Sequence, residues 1–167
     1  MAKVLLINPV VREEDTPKHI PYGIALLAAI ADKEGHQVQI FDANAWRPSD
    51  AVLKDVMQAD DWDAIGIGGI STVYGYTKKL LKAAQDYSPR SLIIVGGGML
   101  TAIPQDIMRL MPEIHVGAVG EGFVTFQPEV TRLFPVSDWQ LQRATESEAD
   151  LMHRRSQIIA ATVDLPD

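Results

Sequence analysis

The sequence predicts a single α/β domain with a five-stranded parallel sheet. Short apolar runs alternate with segments of helical periodicity from residue 3 to about residue 134, and this alternation is typical of parallel strands joined by right-handed helical crossovers. The 167 residues are 47% hydrophobic and 22% charged. This is the composition of an ordinary globular domain that is large enough to bury a sizeable core.

Five short apolar runs predict the strands, at residues 4–7, 38–41, 64–67, 92–95 and 116–119. The second run begins after Gln37 and alternates polar with apolar residues, as expected of a half-exposed strand at the edge of a sheet. An edge position for the second strand fits the order 2-1-3-4-5. The predicted fold is therefore a flavodoxin-like (Rossmann-type) three-layer sandwich with that strand order.

Helical periodicity predicts helices at residues 22–33, 49–59, 74–87, 104–110 and 123–134. The inward face of the first helix is expected to consist of Ile24, Leu27, Ala28 and Ala31. The second helix has Ser49 as its expected N-cap, and its expected inward residues are Val52, Val56 and Ala59. The third helix is expected to pack through Tyr76, Leu80, Leu81, Ala84 and Tyr87.

Composition excludes several classes of function. The formal net charge of −7 argues against nucleic acid as the main partner, because phosphate binding requires a basic face. The apolar runs fall short of the roughly 20 residues that span a bilayer, and Pro9 ends the N-terminal run too early for a signal peptide. We therefore expect a cytoplasmic location. The chain has no cysteine, which removes disulfides, thiol nucleophiles and an iron–sulfur cluster.

The character of the sequence changes after residue 135. Residues 136–157 are polar and charge-rich, and residues 158–163 form one more apolar run with no helical pattern after it. We expect a domain at residues 1–135 and a linker or tail at 136–167 that leads towards a missing domain. In this chain the apolar run is expected to dock on the sheet, to mediate a homo-oligomer or to be poorly ordered, because exposed aliphatic side chains are unfavourable.

Glycines cluster where three of the predicted strands end. They lie at residues 66–69, 96–98 and 117–122, and the first strand ends in Asn8-Pro9. Ligands of such sheets bind outside the carboxyl ends of the strands, near the switch point between strands 1 and 3. Because glycine lets the backbone approach a bulky ligand closely, three clusters at one edge favour a ligand site over ordinary tight turns.

The common ligands of such folds do not fit these loops. A dinucleotide site would need G-x-G-x-x-G after the first strand, and a P-loop would need G-x-x-x-x-G-K-[ST]; neither is present. Glu13, Glu14 and Asp15 follow the first strand and would repel the phosphate of FMN. A phosphorylated receiver domain needs an aspartate at the end of strand 3, where this chain has Gly-Gly-Ile-Ser.

The chain instead resembles the cobalamin-binding domain found at the N-terminus of many radical S-adenosylmethionine (SAM) enzymes. The matching pieces are residues 3–9 (KVLLINP), 21–24 (PYGI), 35–38 (GHQV) with Asp42, 65–67 (IGI) with Ser71, 95–98 (VGGG) and 120–122 (GEG) with Thr125-Phe126. Each piece alone is weakly specific, but their order and spacing together are fairly specific. The resemblance spans residues 3 to about 134.

The resemblance implies a set of cofactor-binding residues. The dimethylbenzimidazole tail of cobalamin would lie between residues 71–73 and 96–98, residues 120–122 would line its other side, and the loop from Asn8 would approach the lower face of the corrin. The residues so assigned are Asn8, Pro9, Ile70, Ser71, Thr72, Val73, Gly96, Gly97, Gly98, Met99, Gly120, Glu121 and Gly122. The chain departs from the family at Gly98 and Met99, where a proline and a histidine are frequent, and at Phe123, where glutamate is frequent.

Histidine ligation of cobalt is not expected. The Asp-x-His-x-x-Gly motif that supplies the ligand in mutases is absent, so bound cobalamin should be base-off without a histidine in place of the base. The resemblance implies a module of a cobalamin-dependent radical SAM methyltransferase or related cyclase. Its [4Fe–4S] cluster and SAM would belong to a C-terminal domain, because this chain lacks the cysteines. The alternative is a non-catalytic interaction or regulatory module that has lost the ligand.

Overall fold

A computed structural model describes residues 1–12, 14 and 20–120. The strands are β1 (Lys3–Asn8), β2 (Gln37–Asp42), β3 (Ala64–Gly68), β4 (Leu92–Gly96) and β5 (Val116–Gly117). The helices are α1 (Tyr22–Lys33), α2 (Ala43–Trp46), α3 (Asp50–Met57), α4 (Tyr74–Tyr87), α5 (Gly98–Ala102) and α6 (Pro104–Leu110), with a 3₁₀ turn at Ser71–Val73 before α4. The predicted helix at residues 123–134 and the tail at 136–167 lie outside the described residues.

The sheet confirms the predicted fold class. All five strands are parallel in the order β2-β1-β3-β4-β5, the predicted order 2-1-3-4-5, and β2 lies at the edge with most of its residues exposed or half-buried. Within the described residues, no helix is long and apolar enough to cross a membrane.

Two apolar layers lie on opposite faces of the sheet, because successive strand residues point to opposite sides. Leu5 and Ile7 of β1 belong to the larger layer, which also contains residues of α3, α4 and α6. Val4 and Leu6 belong to the smaller layer, which α1 covers through Ile24. Burying each such aliphatic side chain contributes roughly 1.5–3 kcal/mol to the stability of the fold. This packing holds the strands in place and with them the loops at both ends of the strands.

Helix faces were predicted with mixed success. On α1, Ile24 and Ala31 are buried, and the predicted inward partners Leu27 and Ala28 pack against the smaller layer. On α4 the predicted Leu80, Leu81 and Ala84 are buried with Thr77 and Ala83, but Tyr87 is exposed. That prediction was wrong for Tyr87, the last residue of the helix, whose ring lies 5.7 Å from Lys54 Nζ instead of in the core.

The predicted inward face of α3 was only partly right, because Val56 packs half-buried against the larger layer whereas Val52 and Ala59 are exposed. Ser49 caps the helix as expected, accepting a hydrogen bond from the Val52 amide at 3.4 Å. The buried residues are Leu53 and Met57, whereas Val52 is exposed. Both sets of apolar residues have helical spacing, and packing against the sheet selects the larger side chains.

Two short helices were missed, and the fifth strand is shorter than predicted. Helices α2 and α5 have four and five residues, which is too short for a periodic pattern to show. Strand β5 pairs with β4 only through Val116 and Gly117, although residues 116–119 were expected to be extended.

Charged side chains gather at the amino edge of the sheet, opposite the candidate ligand site. Lys3 forms an ion pair with Asp60 at 2.6 Å, and Arg90 forms one with Asp61 at 2.9 Å. Asp63 accepts the backbone N–H of Lys3 at 2.9 Å. The open groove of about 670 Å³ beside these residues is therefore lined by charges that already have partners.

Candidate functional site

The predicted site residues come from loops that follow four adjacent strands. Asn8 is the last residue of β1, the turn at Ser71–Val73 follows β3, and Gly98 begins α5 after β4. Gly120 follows β5 at the end of the described range. Because β1, β3, β4 and β5 are neighbouring parallel strands, these loops share one edge of the sheet, which we call the carboxyl edge.

The loops after β3 and β4 meet backbone to backbone at Gly69 and Gly97. Gly97 has φ +91, and a Cβ there would lie 2.5 Å from the carbonyl oxygen of Gly69 and 2.8 Å from its nitrogen. The Met99 amide also donates a hydrogen bond to that oxygen at 3.3 Å. The fold itself therefore requires glycine at position 97, so a substitution there cannot separate loss of the groove from loss of the loop packing.

Gly98 and Gly120 are open in a way that Gly97 is not. A Cβ on Gly98 would meet Ile70 Cγ2 at 3.6 Å, an ordinary contact. A Cβ on Gly120, which has φ +84, would meet no atom of the described residues within 4 Å. The Gly120 amide donates a hydrogen bond to Thr101 Oγ1 at 3.1 Å, which ties the end of β5 to α5. Thr101 was missed in the sequence, where a lone threonine gives no signal of this contact.

The remaining predicted residues divide into exposed and buried groups. Ser71 and Thr72 are exposed, so their hydroxyls are available to a ligand. Val73 and Met99 are 1% and 3% exposed, and Met99 belongs to the larger apolar layer. These two side chains support the loops from inside and leave the polar contacts to their neighbours.

Several large apolar side chains are exposed on segments that meet the carboxyl edge. Ile20 precedes α1 and Tyr22 begins it. Trp46 ends α2, Ile70 follows β3 and Ile103 follows α5. Other large apolar side chains of the described residues, such as Leu26, Val52 and Leu110, are also exposed elsewhere, so exposure alone does not mark this edge as a site.

The end of β1 is held by polar contacts. Asn8 donates a hydrogen bond from Nδ2 to Asp42 Oδ1 at 2.8 Å, which joins the last residues of β1 and β2. Pro9 lies next to the β3 loop, since a Cβ on Gly69 would come within 3.3 Å of Pro9 Cγ. Both residues therefore lie at the carboxyl edge, and Asp42 is the partner that fixes Asn8.

The two histidines in the described part of the chain lie at the amino edge. His36 precedes β2, and its Nδ1 accepts the Ala2 amide at 3.1 Å. His115 precedes β5 and is buried, and its Nδ1 accepts the Ile93 amide at 2.9 Å. Both imidazoles accept backbone hydrogen bonds at the amino edge, at the opposite ends of the strands from the candidate site. His19 and His153 lie outside the described residues.

Glu121 and Gly122 also lie outside the described residues, so their predicted place in the site stays a prediction. Among residues 1–12, 14 and 20–120, no group of three or more histidine or acidic side chains could hold a metal ion.

A family model for the B12-binding domain matches residues 9–128 of this chain. Strands β2 to β5 and the described carboxyl-edge loops from Pro9 onwards fall within that range, whereas β1 precedes it. The chain therefore belongs to the B12-binding domain family.

Two methyltransferases are similar in sequence. The uncharacterized methyltransferase PH0819 of Pyrococcus horikoshii is 28% identical over 137 residues, which cover 78% of this chain and 29% of the relative. The cytidylyl-2-hydroxyethylphosphonate methyltransferase of Streptomyces wedmorensis is 28% identical over 145 residues, which cover 74% of this chain and 27% of the relative.

Two solved structures share the fold. The radical SAM methyltransferase TsrM of Kitasatospora setae, with cobalamin and a [4Fe–4S] cluster bound, matches 82% of this chain with a TM-score of 0.67 at 18% identity. The cobalamin-dependent radical SAM enzyme OxsB, with aqua-cobalamin and SAM bound, matches 80% with a TM-score of 0.66 at 18% identity. This chain spans 26% of TsrM and 19% of OxsB, so it corresponds to a fraction of each protein.

Proposed function

We propose that this domain binds cobalamin at the carboxyl edge in the base-off state, without a histidine on the cobalt, and presents it to a radical SAM domain. The observation that carries cobalamin binding is the match of residues 9–128 to the B12-binding domain. The absence of a histidine ligand is supported by His36 and His115, which both accept backbone amides at the amino edge. His19 follows β1 in the sequence, outside the described residues, and lacks the Asp-x-His-x-x-Gly spacing. The cytoplasmic location expected from the sequence is part of the same proposal.

The residues at the carboxyl edge fit the dimethylbenzimidazole tail. Gly98 leaves the backbone uncovered beside Ile70, which is half exposed and can contact an aromatic base. Ser71 and Thr72 are exposed and can donate hydrogen bonds to the polar groups of the tail. Gly120 leaves open space on the third loop, so the tail would lie between the β3 loop and the loops of β4 and β5.

Bound cobalamin would supply a methyl group carried on the cobalt, and this domain would supply binding and orientation. The chain has no cysteine, so a [4Fe–4S] cluster and the SAM that it cleaves would belong to a separate C-terminal domain. Similarity to longer methyltransferases supports methyl transfer as the reaction, with a related cyclisation as the second possibility. A homo-oligomer through residues 136–167 remains a prediction about residues outside the described range.

The test is cobalamin binding by this chain and the coordination of the bound cobalt. The protein is mixed with hydroxocobalamin, separated by size exclusion, reduced to cob(II)alamin and measured by electron paramagnetic resonance. We expect visible absorbance to co-elute with the protein and the spectrum to lack nitrogen superhyperfine splitting. A colourless protein would support the ligand-free regulatory module, and nitrogen splitting would contradict the base-off proposal.

A matched pair of variants locates the bound tail. Gly98→Val places a branched side chain beside Ile70, in the proposed groove, whereas Ala59→Val places the same branched side chain at an exposed position after α3. We expect only Gly98→Val to lose the co-eluting absorbance while both variants keep the parent unfolding temperature. Equal retention of cobalamin by the two variants would contradict the assigned groove.

A further inference from the structure

The β1 loop (residues 9–12) is fixed by contacts from the segment that follows β2. Asn44 is 9% exposed, and its Oδ1 accepts the Val11 amide at 3.0 Å. The Arg47 guanidinium donates a hydrogen bond to the carbonyl oxygen of Arg12 at 2.5 Å. Two successive backbone groups of the loop are therefore held by side chains from one short segment.

The segment that provides these contacts is itself held firmly. Asp42 Oδ1 accepts both the Ala45 amide at 3.1 Å and the Asn8 side chain at 2.8 Å, so one carboxylate caps α2 and ties it to the end of β1. Ala43 is fully buried, and with Val10 of the loop it belongs to the larger apolar layer. The loop and the segment thus form one packed unit.

Arg47 has a backbone conformation that the fold imposes. Its φ is 48 and its ψ is 56, the left-handed region that residues other than glycine seldom adopt. Such conformations persist where the surroundings over-determine them. The left-handed turn ends α2 and brings the arginine side chain back to the β1 loop, where it donates to Arg12.

We infer that Asn44 and Arg47 are positioning residues that set the β1 loop for its contact with the lower face of the corrin. This inference rests on the proposed function, because the loop matters to cobalt only if cobalamin lies at the carboxyl edge. In this role both residues act through the backbone of the β1 loop and not by contact with the cofactor. They keep the loop in one conformation before binding. The binding free energy of cobalamin is therefore not reduced by the entropy cost of ordering the loop.

The experiment compares variants that remove each contact with variants that keep it. Asn44→Leu removes the acceptor for the Val11 amide at similar volume, and Asn44→Asp keeps an acceptor oxygen. Arg47→Gly removes the guanidinium while allowing the left-handed backbone, so it tests the contact without straining the turn. Arg90→Gln is the control, because it removes an exposed guanidinium at the amino edge.

Three quantities are measured on the whole chain: the exchange rate of the Val11 amide without ligand, the Kd for hydroxocobalamin, and the paramagnetic resonance spectrum of bound cob(II)alamin. In Asn44→Leu and Arg47→Gly we expect faster Val11 exchange, a higher Kd and an altered cobalt spectrum. The Kd should rise about tenfold, because ordering one loop residue costs about that factor in affinity. We expect Asn44→Asp to restore all three and Arg90→Gln to match the parent.

The outcomes separate this inference from the proposed function. If the parent binds cobalamin and the variants exchange Val11 faster without any change in Kd or cobalt spectrum, the contacts serve only the fold and the positioning role is refuted. Unchanged Val11 exchange in both Asn44→Leu and Arg47→Gly also refutes it. Failure of the parent to bind cobalamin refutes the proposed function and the positioning role together.

Discussion

Replacing Gly97 with alanine should destabilise the domain for two separate reasons. The residue has φ +91 and ψ −175, a conformation almost confined to glycine that costs other residues about 1–3 kcal/mol. An alanine Cβ would also lie 2.5 Å from the Gly69 carbonyl oxygen, and forcing extra atoms into a packed region costs about 1–3 kcal/mol. We therefore expect the free energy of unfolding to fall by about 4 kcal/mol, the middle of the summed range.

Thermal unfolding followed by circular dichroism measures this loss. At about 3 °C per kcal/mol for a chain of this size, Gly97→Ala should lower Tm by about 12 °C. The matched control is Gly98→Ala, whose Cβ meets only Ile70 at 3.6 Å. Gly98 is the first residue of α5, and its replacement by alanine should change the free energy of unfolding by less than about 1 kcal/mol. Equal Tm values for the two variants would refute the assigned Gly69–Gly97 contact.

Four other substitutions test three separate features of the fold. His115→Leu removes the acceptor of a buried β4 amide and should cost about 1–3 kcal/mol in urea unfolding, while the spectrum of bound cobalamin stays that of the parent; a changed cobalt spectrum would contradict the structural role. Met57→Ala should cost about 2–5 kcal/mol and Val52→Ser less than about 0.5 kcal/mol; the reverse ranking would contradict the inward face of α3. Lys3 hydrogen-bonds Asp60 and holds the pKa of that carboxyl below its ordinary value of 3.8, so the pair stabilises the fold above that value and the contribution is lost as pH falls below it. In Lys3→Met, Tm should therefore fall less between about pH 5 and about pH 3 than in the parent, and identical pH profiles would show that the pair is fully screened.

The sheet order could be predicted because several local signals agree. The alternating Gln37–Asp42 strand marks an edge, and the continuous apolar runs mark buried strands. Strand β5 could not be given its true length, because Ala118 and Val119 have the same apolar character as the residues that pair. The last paired residues are Val95 and Gly117, and β4 itself ends at Gly96. The local sequence of β5 does not show where β4 ends.

The face of α3 illustrates why helix packing is harder to predict. Val52 and Val56 are four residues apart, and so are Leu53 and Met57. Both pairs satisfy helical periodicity, so the sequence alone offers two faces that differ by one residue. Contact with the sheet, which depends on distant residues, selects Leu53 and Met57.

The sequence predicted where the candidate site lies but not the contacts between its loops. Glycine clusters at strand ends predicted the carboxyl edge, but the sequence could not reveal that Gly97 contacts Gly69, because residues 28 positions apart meet only through the β3–β4 pairing. The ties from Asn44 and Arg47 to the β1 loop were missed for the same reason. Asp42 before a short helical segment was the one local signal, since aspartate is a common N-cap.

Amide NMR spectra of the isotope-labelled chain can show residue by residue whether cobalamin binds at the carboxyl edge. On addition of hydroxocobalamin, we expect shifts concentrated at Ser71, Thr72, Gly98 and Gly120, with the amides of Asp61 and Arg90 at the amino edge unchanged. Shifts concentrated at the amino edge, or no shifts at saturating cobalamin, would contradict the claim that the carboxyl-edge loops hold the cofactor.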